Sequence, residues 1–198
     1  MRQIEITVRV NNSMEEVDKI LSNQGFKIIR KSRIKDIYKS ELCDSLKESN
    51  ILELLSKSIL IRYLSINGEQ EFKKLTYKKK TYDGSTVISE EKINVNIDDI
   101  DNANKLFEAL GFKTLVNVNY DVIVYSNDKL ELCFQSVENL GLLLEYENES
   151  DFKDVSNEDI MKEKNKMLEK IKQLGLNIST DIDVKKAFEL IKNNLNKD

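Results

Sequence analysis

Ile4-Glu5-Ile6-Thr7-Val8-Arg9-Val10 alternates apolar and polar residues, placing Ile4, Ile6, Val8 and Val10 on one face of a strand and Glu5, Thr7 and Arg9 on the other. A single strand with one charged face is ordinarily a solvated surface, so the stretch acquires meaning only where the pattern recurs. Arg62 sits in Ile59-Leu60-Ile61-Arg62, Lys78 ends Leu75-Thr76-Tyr77-Lys78, and Glu145 and Glu147 alternate through Leu144-Glu145-Tyr146-Glu147. Charges at a period of two on separate strands predict that one sheet face lines a shared polar cavity, as when a sheet closes into a barrel.

Working outward, Asn12 or Ser13, the latter with Glu16 three residues on, predicts a capped helix with Met14, Val17, Ile20 and Leu21 as its apolar stripe, ended by Gly25. Strands follow at Lys27 to Lys39, Ser58 to Ile66, Gln70 to Lys78, Thr86 to Ile97 and Leu115 to Tyr125, with turns at Asn67-Gly68 and Asp83-Gly84. A second helix spans Asp99 to Leu110, with Ile100, Ala103, Leu106, Phe107 and Leu110 at helical spacing, and two last strands run Lys129 to Gln135 and Leu142 to Glu149. Strands grouped between helices predict an antiparallel α+β fold of about eight strands rather than a doubly wound sheet. Residues 1–150 form the β domain. Residues 151–198 form a C-terminal helical extension on that domain, with helices from Asp159 to Leu174 and Val184 to Leu195.

Composition narrows the chemistry. Among 198 residues, 31 Lys and Arg against 35 Asp and Glu give a formal charge of −4, without bulk attraction to nucleic acid or an acidic membrane. Any anion must be held by a local cluster. The absence of His excludes histidine acid/base catalysis, histidine metal ligation and histidine-containing triads. Cys43 and Cys133 read as two reduced thiols without a role. The N-terminal alternation is unlike a leader, and no stretch has the length and apolarity of a spanning helix, so the expected location is the cytoplasm.

The same residues resemble the CYTH family, the triphosphate tunnel metalloenzymes that include class IV adenylyl cyclases and inorganic and thiamine triphosphatases. Ile4 to Arg9 is similar to the family's ExExK strand, Ser32 to Tyr38 to its Q-x-D-x-Y segment, Ile59 to Arg62 to LRIR, and Leu75 to Lys78 to LTYK. Leu110-Gly111-Phe112, the run from Val137 to Gly141 and Leu143 to Glu147 are similar to LGF, VEGLG and FLEIE, and the tail at Leu174 and Lys185 is similar to the end of bacterial class IV cyclases. The resemblance implies an antiparallel eight-stranded β-tunnel with flanking helices and a C-terminal helical tail. It further implies a metal zone of Glu5, Glu145 and Glu147 holding Mg2+ or Mn2+, and a phosphate zone of Arg9, Arg62 and Lys78. Mutual pairing of these acids and bases inside an empty barrel is the alternative.

This chain departs from the family pattern at eight named positions. Thr7 stands for an acid, Leu60 for an arginine, and Glu90, Lys92 and Asn94 for an R-x-E-x-E strand. Tyr120 and Val122 stand for a K-x-R pair, and Gln135 for another acid. Both zones are thinned together, which implies binding of a small phosphorylated or nucleotide-like ligand with weak or lost catalysis. An active divergent cyclase or triphosphatase, and a structural protein using only the fold, are the competing readings. A homodimer is left open, and neither nucleic acid nor membrane is an expected partner.

Overall fold

The computed structural model describes residues 4–83, 86–148 and 156–197, and their side chains apart from 78–92 and 157. Eight antiparallel strands hydrogen-bond in the order β1-β8-β7-β6-β2-β3-β4-β5. They are β1 (Ile4–Arg9), β2 (Lys27–Ser40), β3 (Ile59–Ile66), β4 (Gln70–Asp83), β5 (Thr86–Asn96), β6 (Lys113–Ser126), β7 (Glu131–Val137) and β8 (Gly141–Asn148). The order ends at β1 and β5, so the hydrogen-bond ladder is open rather than a closed ring. The helices are α1 (Met14–Ser22), α2 (Ile51–Ser56), α3 (Ile100–Ala109), α4 (Asn157–Gln173) and α5 (Lys186–Leu195). The antiparallel α+β expectation holds. β4 runs past Lys78 to Asp83. α2, preceded by two short 3-10 turns, escapes the sequence reading because six residues are too few to display a helical period.

The chain forms two compact units, and β2 and β6 each contribute to both. The first comprises Met1–Lys31, Asp121–Val137 and Gly141–Val184. Its core joins Ile4, Ile6 and Val8 of β1 to Val17 and Leu21 of α1 and to Ile160, Met167, Leu168 and Ile171 of α4. Burying this apolar row turns Glu5, Thr7 and Arg9 to the opposite face, because strand side chains alternate. α1 starts where the sequence says it should: the Glu16 amide donates to Ser13 Oγ at 3.2 Å, and the Ser13 amide donates to Glu16 Oε2 at 2.8 Å. Tyr125 packs edge-on against Phe134, with ring centroids 5.6 Å apart, and donates its hydroxyl to Asp18 at 3.0 Å.

Beyond α4 the chain returns along the outer edge of β1. The Ser179 amide donates to the Arg9 carbonyl at 2.9 Å, the Thr7 amide to the Ile182 carbonyl at 3.1 Å and the Val184 amide to the Thr7 carbonyl at 3.0 Å. An edge strand exposes unpaired backbone groups, and this return segment covers them.

The second unit comprises Ser32–Tyr120, Glu138–Leu140 and Lys185–Asp198. β3 and β4 meet at Asn67 and Gly68, whose φ angles of +52° and +74° lie in the left-handed region that Asn and Gly tolerate best. The Asp83-Gly84 turn expected between β4 and β5 falls partly outside the described residues. α3 has the expected span, yet Leu106 and Leu110 are exposed. Its covered stripe is the narrower one through Ile100, Ala103 and Phe107, all partly buried. α5 buries Ala187, Leu190 and Ile191, lies beside α2 with its buried Ile51 and Leu54, and ties Lys192 to Glu48 at 2.7 Å.

Candidate functional site

In the first unit, β1 pairs with β8 so that Glu5 faces Glu147 and Thr7 faces Glu145. Directly opposed residues point to the same side of a sheet, so one face collects all of them. Glu5, Glu145 and Glu147 offer carboxylate oxygens that all lie within 4.8 Å of one another. Glu5 and Glu147 are exposed and Glu145 is partly buried. Like charges so placed repel, and a cation among them converts the repulsion into attraction. Arg9 is partly buried two residues along the same face from Thr7.

Gln135 contributes something its place in the motif did not announce. It is 3% exposed, and its Nε2 donates to Glu145 Oε2 at 3.0 Å. An amide cannot replace the charge of an acid, but it can fix the orientation of the neighbouring carboxylate, as outer hydrogen bonds do around metal ligands. The signal was present in the alternation of Cys133 and Gln135 opposite Glu145 and Leu143.

In the second unit, Arg62 shares a face with Leu60, which is 1% exposed. Arg62 stands directly opposite Asp36 on β2 and Lys74 on β4. Its guanidinium grips Asp36 bidentately, Nε to Oδ1 at 2.6 Å and Nη2 to Oδ2 at 2.5 Å, and donates to the Tyr120 hydroxyl at 3.2 Å. Burial works against the cation. The Asp36 hydrogen bonds and charge outweigh it, so Arg62 titrates above even its ordinary high value. A guanidinium so held is a fixed structural charge first and an anion donor only with its remaining N–H groups.

Tyr120 is 3% exposed, and Val116 and Val118 of the same β6 face are buried with it. Lys186 of α5 places its ammonium over the Tyr120 ring, 4.9 Å from the centroid. Val122, in the first unit, is likewise buried. On β5, Asn94 accepts from the Thr76 hydroxyl at 2.8 Å. The side chains of Lys78, Glu90 and Lys92 lie outside the described residues. The structure thus brings Glu5, Glu145 and Glu147 together within the first unit, which also holds Arg9. In the second it couples Arg62 to Asp36, a partner that the motif reading did not assign. Neither Cys43 nor Cys133 is in a disulfide, and no helix among the described residues is long and apolar enough to cross a membrane.

No family model matches the chain. It is 30% identical over 190 residues to the Methanocaldococcus jannaschii protein named "Putative adenylate cyclase MJ0240", covering 95% of this chain and 97% of that one. Among solved structures, the PH1819 protein of Pyrococcus horikoshii superposes with a TM-score of 0.68 at 23% identity, over 98% of this chain and 99% of that one. The adenylyl cyclase-named HpAC1 of Hippeastrum superposes with a TM-score of 0.58 at 13% identity, over 98% and 96%. At such identities the solved structures speak for the shared fold. The M. jannaschii relative, matched along nearly its whole length, speaks for kinship, and this chain belongs to the CYTH family of adenylate cyclase-like proteins.

Proposed function

We propose that this chain binds a phosphorylated, nucleotide-like anion together with Mg2+ or Mn2+, and that its turnover of triphosphates is slow. The observation that carries the reading is the convergence of Glu5, Glu145 and Glu147 within 4.8 Å. A set of carboxylate oxygens without thiolate or imidazole suits hard divalent cations. Such a cation, when bound, supplies positive charge against phosphate oxygens. Gln135 holds Glu145 in place for it. Arg9, Arg62 and Lys78 are the bases assigned to the phosphate oxygens, with Arg62 already half spent on Asp36.

Slow turnover follows from what stands at neighbouring positions. Thr7, Tyr120 and Val122 carry no formal charge where the family resemblance implies an acid and two bases, so metal and phosphate stabilisation both fall. The relative's adenylate cyclase name and the dominant triphosphatase activity stated for the Hippeastrum protein make ATP and tripolyphosphate the probes to use.

The test is a Mn2+ titration followed by electron paramagnetic resonance, with ATP and tripolyphosphate assays alongside. Mn2+ should bind the wild-type chain, and Glu145→Gln should weaken it by roughly 10-fold or more, the scale on which even outer-shell changes act. Absence of Mn2+ binding, or equal binding by Glu145→Gln, overturns the metal assignment. Turnover on the order of 1 s−1 or faster, lost in Glu145→Ala, would instead make the chain an active enzyme of ordinary speed.

A further inference from the structure

We propose that β5 pairs edge to edge and antiparallel with the β5 of a second copy of this chain, about a two-fold axis at Val95. The inference lies wholly within the second unit and stands apart from the reading of the ligand site.

Among the described residues β4 is the sole strand beside β5, which ends the hydrogen-bonded order and so presents an open edge. Backbone hydrogen bonds tell which residues face that edge. The Ile97 amide donates to the Lys73 carbonyl at 3.0 Å, and the same register sets Val95 against Leu75 and Ile93 against Tyr77. Antiparallel ladders alternate, so Ile93, Val95 and Ile97 direct their amides and carbonyls to β4, while Asn94 and Asn96 direct theirs outward. The side chains along this edge suit a contact surface, since Ile93 is 63% exposed and Val95 53%. Apolar edge strands invite pairing, and native chains ordinarily cover or charge them. The edge of β1 is covered by the return segment, whereas among the described residues β5 has no such cover.

The sequence selects a second copy over any other strand. Ile93-Asn94-Val95-Asn96-Ile97 reads the same in both directions, and an antiparallel two-fold pairing sets a strand against its own reversal. Centred on Val95, the register places Val95 against its own counterpart, Ile93 against Ile97 of the second copy and Asn94 against Asn96 of the second copy. The outward-facing Asn94 and Asn96 then make the hydrogen-bonded pairs, and the apolar residues make the closer, non-hydrogen-bonded ones. Lys92 and Asp98 flank the palindrome with opposite charge, and this register sets each at the level of the other's counterpart. α3 runs inward from the edge: it lies against β3, and its Glu108 accepts from Lys39 of β2 at 2.9 Å. The helix therefore leaves the open side of β5 to the partner.

Light scattering during gel filtration of the full chain, at roughly 100 μM so as to exceed the μM affinity of weak interfaces, tests the proposal. The wild-type chain should have twice its monomer mass of 23.0 kDa. Val95→Lys sets two ammonium groups against each other on the axis and should weaken the dimer by about 10-fold or more, with an unchanged circular dichroism spectrum. Val95→Cys meets its own counterpart at the ~4.5 Å Cα separation of a non-hydrogen-bonded pair, within reach of a disulfide. Mild oxidation should therefore crosslink that variant into a covalent dimer and leave the wild-type chain uncrosslinked. Should Val95→Lys fail to fold, the cysteine variant decides alone. A monomeric wild-type chain leaves the edge to a strand of another protein and overturns the inference. A dimer that survives Val95→Lys intact, or failure of Val95→Cys to crosslink, places the interface elsewhere and overturns it too.

Discussion

Replacing Asp36 by Asn would show whether Arg62 is a structural charge or a ligand-binding one. The Asp36 side chain is 2% exposed and that of Arg62 21%, and two hydrogen bonds of 2.6 and 2.5 Å join them. Removing one partner of a buried pair leaves the other charge uncompensated and costs about 3–5 kcal/mol. The residual access of water to Arg62 places the expected loss at the lower end, about 3 kcal/mol. For a chain of this length, 1 kcal/mol corresponds to roughly 2–4 °C in Tm, so Asp36→Asn should melt about 6–12 °C lower. Urea denaturation of Asp36→Asn, Arg62→Met and the double variant completes a cycle, in which the double should be less destabilised than the sum of the singles by about 2 kcal/mol. The liberated guanidinium should also bind tripolyphosphate more tightly than the wild-type one, read as a larger ligand-induced rise in Tm. A loss below about 1 kcal/mol for Asp36→Asn, with additive singles, would refute the argument and leave the whole Arg62 guanidinium, rather than part of it, to phosphate oxygens.

Two further outcomes test the framework around the site. Ser13→Ala removes the α1 cap and should cost about 1 kcal/mol, seen as a small fall in Tm with an unchanged slope in urea; an unaltered midpoint would mean that tertiary packing alone fixes α1. Burial, followed by the hydrogen bond to Asp18, pushes the Tyr125 phenol up to about 12. The unfolded chain then releases this proton near pH 10 while the folded chain keeps it, so the contribution is intact below about pH 10 and is lost as pH rises toward 12. Tyr125→Phe should show a shallower stability loss over that window, and a slope identical to wild type would contradict the assignment.

Much of this molecule is legible from local rules. The alternation in Ile4 to Val10 and Leu143 to Glu147 placed the acids on one face because burying Ile6, Val8, Leu144 and Tyr146 leaves their neighbours only the opposite side. Ser13 with Glu16 announced the start of α1, and Asn67-Gly68 the turn between β3 and β4, because caps and left-handed turns depend on residues adjacent in the chain. Register could not be read in this way. The opposition of Asp36 to Arg62, and with it the pairing of an expected phosphate ligand with a carboxylate, depends on how two strands align around residues 26 apart in the chain.

The tail shows the same division. Its helical periods stood out in the sequence, whereas the return of residues 178–184 along the edge of β1 did not, since backbone pairing leaves no mark on side-chain pattern. Nothing in the sequence singles out Lys186, whose ammonium the fold sets over the Tyr120 ring. Sequence by itself determined which residues face together within a strand or helix, because that follows from bond geometry alone. Only the tertiary structure decided which faces and charges meet, because those contacts join distant segments whose pairing is selected by burial of the whole chain.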